Sequence, residues 1–395
     1  MNHNNALIAV MAIGNLLVAP MALADPRPYQ PAVLRLSLTT LEGKDASVID
    51  HTLIPANGTP IGKRTKVNRT QFGKELRNLY QQISGVAPVP YKKPTDPVRM
   101  MHSILLGPLV EDLKRLKITT LLISLDLELQ SLPFAALHDG TQWFGSSYAY
   151  SVTPSLSLMP RVETKAKPSA KKKLLAGNTK FKTLSSLPFV EQELKQIAAI
   201  TNSNIALNQD FNHKRLFEEA ESEETHIIHI ATHAEFIPGN PKESRVYLNN
   251  GFFTMEELRE LRLSRRQQPL DLFTLSACRS AVGDSSNELG LGGLALLAGA
   301  QSAIGTLWYV DDVATSIFFI RFYKWLNEGV SKSEAMRIVR NEFLSGSIKL
   351  NNGNVEGPRG EIILKNLPRR HQRMLANGLQ HPYFWAAPLL LGKPW

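Results

Sequence analysis

Two apolar runs in this chain each lead into a side chain that can do chemistry. Thr225-His-Ile-Ile-His-Ile-Ala-Thr leads into His233 and Ala234, and Asp271-Leu-Phe-Thr-Leu-Ser-Ala leads into Cys278. A thiol with a pKa of about 8.5 is only a few per cent thiolate at neutral pH. A neighbouring imidazole can take its proton and later return one to a leaving amine. Cys278 is the chain's single cysteine, so it cannot pair within the chain. It is either a small buried apolar group or a thiol kept for chemistry, and spacing alone leaves both readings open. If the two runs are neighbouring parallel strands, they lie ~4.8 Å apart. Their carboxyl ends then set His233 beside Cys278, at the edge where open α/β sheets carry their sites. Backbone N–H groups of the loops that follow could hold an oxyanion.

Other chemistries fit less well. His226, His229 and His233 read H-x-x-H-x-x-x-H, but on a strand His226 and His229 point to opposite faces, and no H-E-x-x-H helix is present. No metal and no cofactor is expected. There is no G-x-S-x-G elbow and no Walker loop. Gly290-Leu-Gly-Gly293 lacks dinucleotide-loop spacing and reads as close packing at a helix start.

The elements needed to position the pair are legible in outline. Ala32–Thr39 and Ser47–Ile54 read as a β-hairpin. Thr70–Ile83 and Pro97–Leu116 carry apolar residues at helical spacing, with Asp96 as a cap before Pro97. Five short runs follow: Thr119–Leu125, Leu174–Ala176, Thr225–Thr232, Asp271–Ala277 and Ser302–Leu307. Helical segments at Pro188–Ile200, Met255–Leu261 and Leu289–Ala298 lie between them. Short runs apolar on both faces, alternating with helices, require a buried, mainly parallel sheet flanked by helices, an α/β fold.

Composition bounds the function classes. The 395 residues are 43% hydrophobic and 20% charged, which fits a globular chain and excludes a disordered or collagen-like one. One cysteine excludes a disulfide scaffold. The net charge of +10 favours acidic partners without naming one. No basic stripe interleaved with aromatics appears, so nucleic-acid binding is not expected. The basic stretch Thr164–Lys173 and the acidic stretch Glu218–Glu224 read as solvated connections.

Residues 1–24 contain no Asp, Glu, Lys or Arg. The apolar run Ala6–Val18 is followed by Pro20 and Ala22-Leu23-Ala24, the pattern of a secretory signal peptide cleaved after Ala24. At about 13 residues the run falls short of the ~20 needed to span a bilayer. The expectation is an exported protein, periplasmic or extracellular, with no stable membrane insertion after cleavage. Domains are expected at 1–24 (signal peptide), 25–69 (hairpin extension) and 70–395 (the large α/β domain).

Taken together, these segments resemble the CHAT domain, a caspase-like family related to separase and gingipains. His-Ile-Ala-Thr-His233 is similar to its histidine motif, and Leu275-Ser-Ala-Cys278-Arg-Ser-Ala-Val-Gly283 to its cysteine motif. Gly293 to Asp312, with Leu307-Trp308-Tyr-Val-Asp-Asp312, resembles the helix, strand and loop that follow. His381-Pro-Tyr-Phe-Trp385-Ala resembles the terminal segment, and Leu132–Gly140 and Tyr150–Leu158 are similar too. The resemblance implies a caspase-like fold and a cysteine endopeptidase. In it His233 is the general acid/base, Cys278 the nucleophile that forms an acyl-enzyme, and the backbone of Ala234 and Cys278 the oxyanion donors. Ala234 stands where relatives carry Gly, and Ser280 where Thr is usual. By analogy with separase, Asp311 or Asp312 is implied to receive a basic residue before the scissile bond; Asp311-Asp312-Val-Ala-Thr equally reads as a helix start, with Asp312 as its cap. Trp308, Tyr383 and Trp385 read as core and His381 as a buried or cap-like structural residue rather than a member of the site. The implied partners are a protein or peptide substrate and an activating protein acting in trans. The alternative is a catalytically silent CHAT protein serving as an interaction or scaffolding module.

Overall fold

The computed structural model describes residues 28–395 except 154, 157–171, 236, 238–239, 241–242, 255, 259, 261–268, 277–295, 297–298 and 309–310. The segment 1–24, Cys278 and the glycines at 290–293 therefore lie outside the described residues.

Among the described residues, one sheet of eleven strands organises the chain. Its first three are β1 (Pro31–Thr40), β2 (Ser47–Pro55) and β3 (Ile61–Val67), an antiparallel meander. β4 (Thr120–Leu125), β5 (Ala149–Thr153), β6 (Lys172–Gly177), β7 (Asn204–Leu207) and β8 (Thr225–Ala231) follow. A small sheet of β9 (Ala234–Glu235), β10 (Arg245–Tyr247) and β11 (Phe252–Thr254) stands apart. The chain then returns to the main sheet in β12 (Leu272–Ser276) and β13 (Ser302–Thr306). A second small sheet, β14 (Lys349–Asn351), β15 (Asn354–Glu356) and β16 (Ile362–Leu364), precedes the last main strand, β17 (Pro388–Gly392). The order across the main sheet is β3-β2-β1-β4-β5-β17-β13-β12-β8-β6-β7.

Strand direction divides this sheet in two. β1, β4, β5 and β17 run parallel to one another, and β13, β12, β8, β6 and β7 form a second parallel block. The blocks meet antiparallel where β13 pairs with β17, Thr306 opposite Pro388. Every residue of β4, β12, β13 and β17 is buried, as a strand covered on both faces requires. The expected mainly parallel, helix-flanked sheet is present. The hairpin gains a third strand, and β1 pairs with β4, so the extension joins the main sheet.

The helices follow their apolar spacing. Arg69–Ile83 buries Phe72, Leu79 and Ile83 and is capped by Asn68, whose side chain accepts from Gln71 N at 2.8 Å. The segment expected as one helix over Pro97–Leu116 is broken into Pro97–Leu105, a 3-10 turn at Gly107–Leu109, and Val110–Arg115. Pro108 has no N–H to give, and its ring clashes with a carbonyl one turn back. Asp96 holds the cap position, but its carboxylate turns back to Lys93 N at 2.7 Å. The helix Asp312–Asn327 is buried nearly all round, between Val190–Thr201 and Lys332–Leu344. Among the described residues no helix is long and apolar enough to cross a membrane.

Candidate active site

The carboxyl ends of β8, β12 and β13 open into a cavity of about 710 Å³, within the ordinary size of a small-ligand or side-chain pocket. Register decides what meets there. β8 and β12 are parallel neighbours, with Ala231 opposite Ser276. His233 stands two residues beyond Ala231, and in the sequence Cys278 stands two residues beyond Ser276. His233, Ser276 and Thr306 line the cavity.

His233 is held by two contacts. Its Nε2 lies 2.8 Å from Ser185 O, and the Phe181 ring packs 4.6 Å from the imidazole. A carbonyl can only accept, so Nε2 carries the proton, and in the neutral ring Nδ1 is left as the base. The loop that supplies Ser185 and Phe181 leaves β6 at Gly177. A Cβ there would stand 2.5 Å from Ala231 O and 2.7 Å from Val190 Cγ1, so only glycine lets β6 and β8 close beneath the site. Thr232 Oγ1 donates to Tyr247 O at 2.7 Å, and Tyr247 N donates to His233 O at 2.9 Å, tying the histidine loop to the first small sheet. Ala234 pairs with Val246 in that sheet and is not among the residues with positive φ. The conformational freedom of a glycine is not called on there.

Asp311 and Asp312 both line the cavity. The helix begins at Asp312, and its cap is Asp311, whose Oδ1 accepts from Val313 N at 2.9 Å. The expected cap at Asp312 thus falls one residue earlier. Burial raises Asp311 above the usual carboxylate range. Burial, with Asp311 adjacent, pushes Asp312 up to about 6. Asp312 Oδ2 is buried without a hydrogen-bond partner among the described residues.

Three site residues escaped the sequence reading. Glu193 is 2% exposed, accepts from His229 Nε2 at 3.0 Å and from Ser316 Oγ at 2.8 Å, and lines the cavity. Its signal was a carboxylate on the face of Val190–Thr201 that also buries Val190, Leu194 and Ile197. Arg370 and His371 reach the cavity from the short helix Arg369–Leu375, and nothing local in Arg-Arg-His-Gln-Arg foretells that. His371 Nε2 stands 3.9 Å from Asp312 Oδ1 and 4.0 Å from Asp311 Oδ2, and burial lowers its pKa.

The remaining expectations sort cleanly. Trp308 and Trp385 are buried, with indole N–H groups donating to Tyr383 O at 3.3 Å and Gln380 O at 2.9 Å. Tyr383 is partly buried, packs against the core and also lines the cavity. His381 caps Pro382–Trp385 through Nδ1, which accepts from Tyr383 N at 3.1 Å.

The CHAT domain family matches residues 95–393. The chain belongs to the CHAT family. No curated protein matches the sequence. Among solved structures, a chain of the Saccharomyces cerevisiae separase–securin complex superposes with a TM-score of 0.51 at 11% identity, over 92% of this chain and 30% of that one. A second structure of the same complex gives 0.49 with the same identity and coverage. This CHAT protein therefore spans about three tenths of the separase-complex chain it matches and shares its fold, a caspase-like α/β sheet flanked by helices.

Proposed function

We propose that this CHAT protein is an exported cysteine endopeptidase, periplasmic or extracellular, that uses a His233–Cys278 dyad. The observation that carries the reading is the pairing of Ala231 with Ser276, because His233 and Cys278 each follow two residues after a matched strand end. The tautomer fixed by Ser185 supports it. Nδ1 takes the thiol proton, and the thiolate attacks the peptide carbonyl carbon. The tetrahedral oxyanion is held by the backbone N–H groups of Ala234 and Cys278. The imidazolium then gives its proton to the leaving amine as the C–N bond breaks. Water, deprotonated by His233, hydrolyses the thioester and frees the second product. Ala234's ordinary φ removes the steric ground for reading the protein as a silent scaffold.

Asp311, Asp312 and Glu193 place three carboxylates on the cavity against Arg370 and His371, an excess that favours Lys or Arg before the scissile bond. The separase structure contains securin; a protein partner acting in trans on this chain belongs to the same proposal.

Purified protein is assayed on fluorogenic peptides. Cys278→Ala and His233→Ala are each expected to lower turnover by at least about a thousandfold, with unchanged circular dichroism. Full activity in either variant sinks the dyad, and preference for acidic or apolar residues over Arg and Lys sinks the pocket assignment. N-terminal sequencing of exported protein tests cleavage after Ala24.

A further inference from the structure

The cavity wall also holds a donor set of a different kind. Asp311 and Asp312 open one helix and His371 belongs to another, far along the chain, yet their ligand atoms all lie within 4.8 Å of one another. We propose that Asp311, Asp312 and His371 form a binding site for a divalent transition-metal cation of the zinc class. The site does not depend on the His233–Cys278 dyad, but an ion held there would occupy the carboxylates offered above to a basic substrate residue.

Geometry is the first argument. The His371 side chain is 5% exposed, and its ring is fixed edge-on against Phe189 at 5.0 Å. Its Nε2, at 3.9 and 4.0 Å from the two carboxylates, is beyond hydrogen-bond reach of either. Three donors bound to one tetrahedral ion at about 2.0–2.2 Å stand roughly 3.3–3.6 Å apart, so His371 Nε2 closes on each carboxylate by several tenths of an ångström on binding. The second observation is Asp312 Oδ2, buried and without a hydrogen-bond partner among the described residues, on a side chain that stays 19% exposed and whose carboxylate Phe189 N also approaches.

Donor chemistry selects the ion. One imidazole with two carboxylates suits zinc, cobalt or manganese, whereas calcium and magnesium favour oxygen cages. Three protein ligands facing an open cavity leave the fourth position to water, the pattern of an exchangeable ion. Arg370 opposes binding. Its Nε donates to His371 Nδ1 at 3.4 Å, while a neutral imidazole ligating through Nε2 carries its proton on Nδ1. Arg370 must turn away when the cation enters, and it is exposed and free to do so.

Zinc chloride titration by calorimetry and cobalt(II) visible absorption are measured on Cys278→Ala protein, which removes thiol ligation. One ion per chain is expected. Asp312→Asn, close to isosteric, and His371→Ala each weaken binding by at least about tenfold, and Arg370→Ala tightens it severalfold. Near-UV circular dichroism checks that His371→Ala is folded; Asp312→Asn alone decides if it is not. No zinc binding, binding indifferent to Asp312→Asn, or calcium bound as tightly as zinc overturns the proposal.

Discussion

The two parallel blocks of the sheet treat the ends of their strands differently. In the block of β1, β4, β5 and β17, the carboxyl end of β4 carries Asp126. Its Oδ1 accepts from Arg35 at 2.6 Å and its Oδ2 from Leu38 N at 2.9 Å. Thr153, at the end of β5, donates to Ser155 O at 2.8 Å. These groups are spent on holding neighbouring chain. In the other block, the ends of β8, β12 and β13 surround a cavity in which, among the described residues, Asp312 Oδ2 has no donor and His233 is bound through Nε2 alone. The antiparallel junction of β13 with β17 puts these ends on opposite edges of the sheet. A saturated carboxylate is structural; an unsaturated one in a cavity is poised to meet a proton, a cation or a substrate.

Substitutions at four positions test this contrast, from strong to weak. Glu193→Ala is expected to cost about 3 kcal/mol, because it strands His229 and Ser316 in the interior; Glu193→Gln, which still accepts from His229, costs about 1 kcal/mol. Equal losses in urea unfolding would show that volume rather than pairing matters there. Gly177→Ala forces the end of β6 away from β8 and costs about 1–3 kcal/mol, with peptide turnover falling alongside stability as His233 shifts. Stability loss with unchanged turnover would uncouple that loop from the site. Arg35→Ala breaks an ion pair whose side chains are 41% and 31% exposed, so the expected loss is within about 1 kcal/mol, with turnover untouched. Impaired turnover there would erase the distinction between the two edges.

The last test concerns the structural edge and pH. Burial lowers His102 to about 4, against an ordinary 6.5. Between those values the unfolded chain binds the proton and the folded one does not. The contribution is therefore complete above pH 6.5 and is lost as pH falls toward 4. His102→Gln is expected to flatten the decline in unfolding midpoint between pH 6.5 and 4.5. An unchanged slope would mean that other groups carry it.

Strands buried on both faces were legible because their apolar runs are continuous: β4, β8, β12 and β13 lie where the sequence reading expects strands. β3, Ile-Gly-Lys-Arg-Thr-Lys-Val, was not, because an edge strand protected by charge has no apolar face to read. β7 has four residues, too few for a period. β17 drew attention only through family likeness, since Pro-Leu-Leu-Leu-Gly gives no hint that it pairs with both blocks. At the site, His233 was visible as a polar residue ending an apolar run. Glu193, Arg370 and His371 come from helices remote in sequence, and only tertiary packing assembles them. Asp311 and Asp312 were recognised, but which of them caps the helix depends on a single backbone angle.

β17 sits at the centre of the sheet and is also the final strand in chain order. Within the sheet the strands of the two blocks meet only through it, β5 on one side and β13 on the other, while the helix Lys332–Leu344 packs across both halves. Leu391 pairs with both Val152 and Ala303, so the sheet closes over long sequence separations, a topology that folds slowly and keeps the newly made chain pliable for longer.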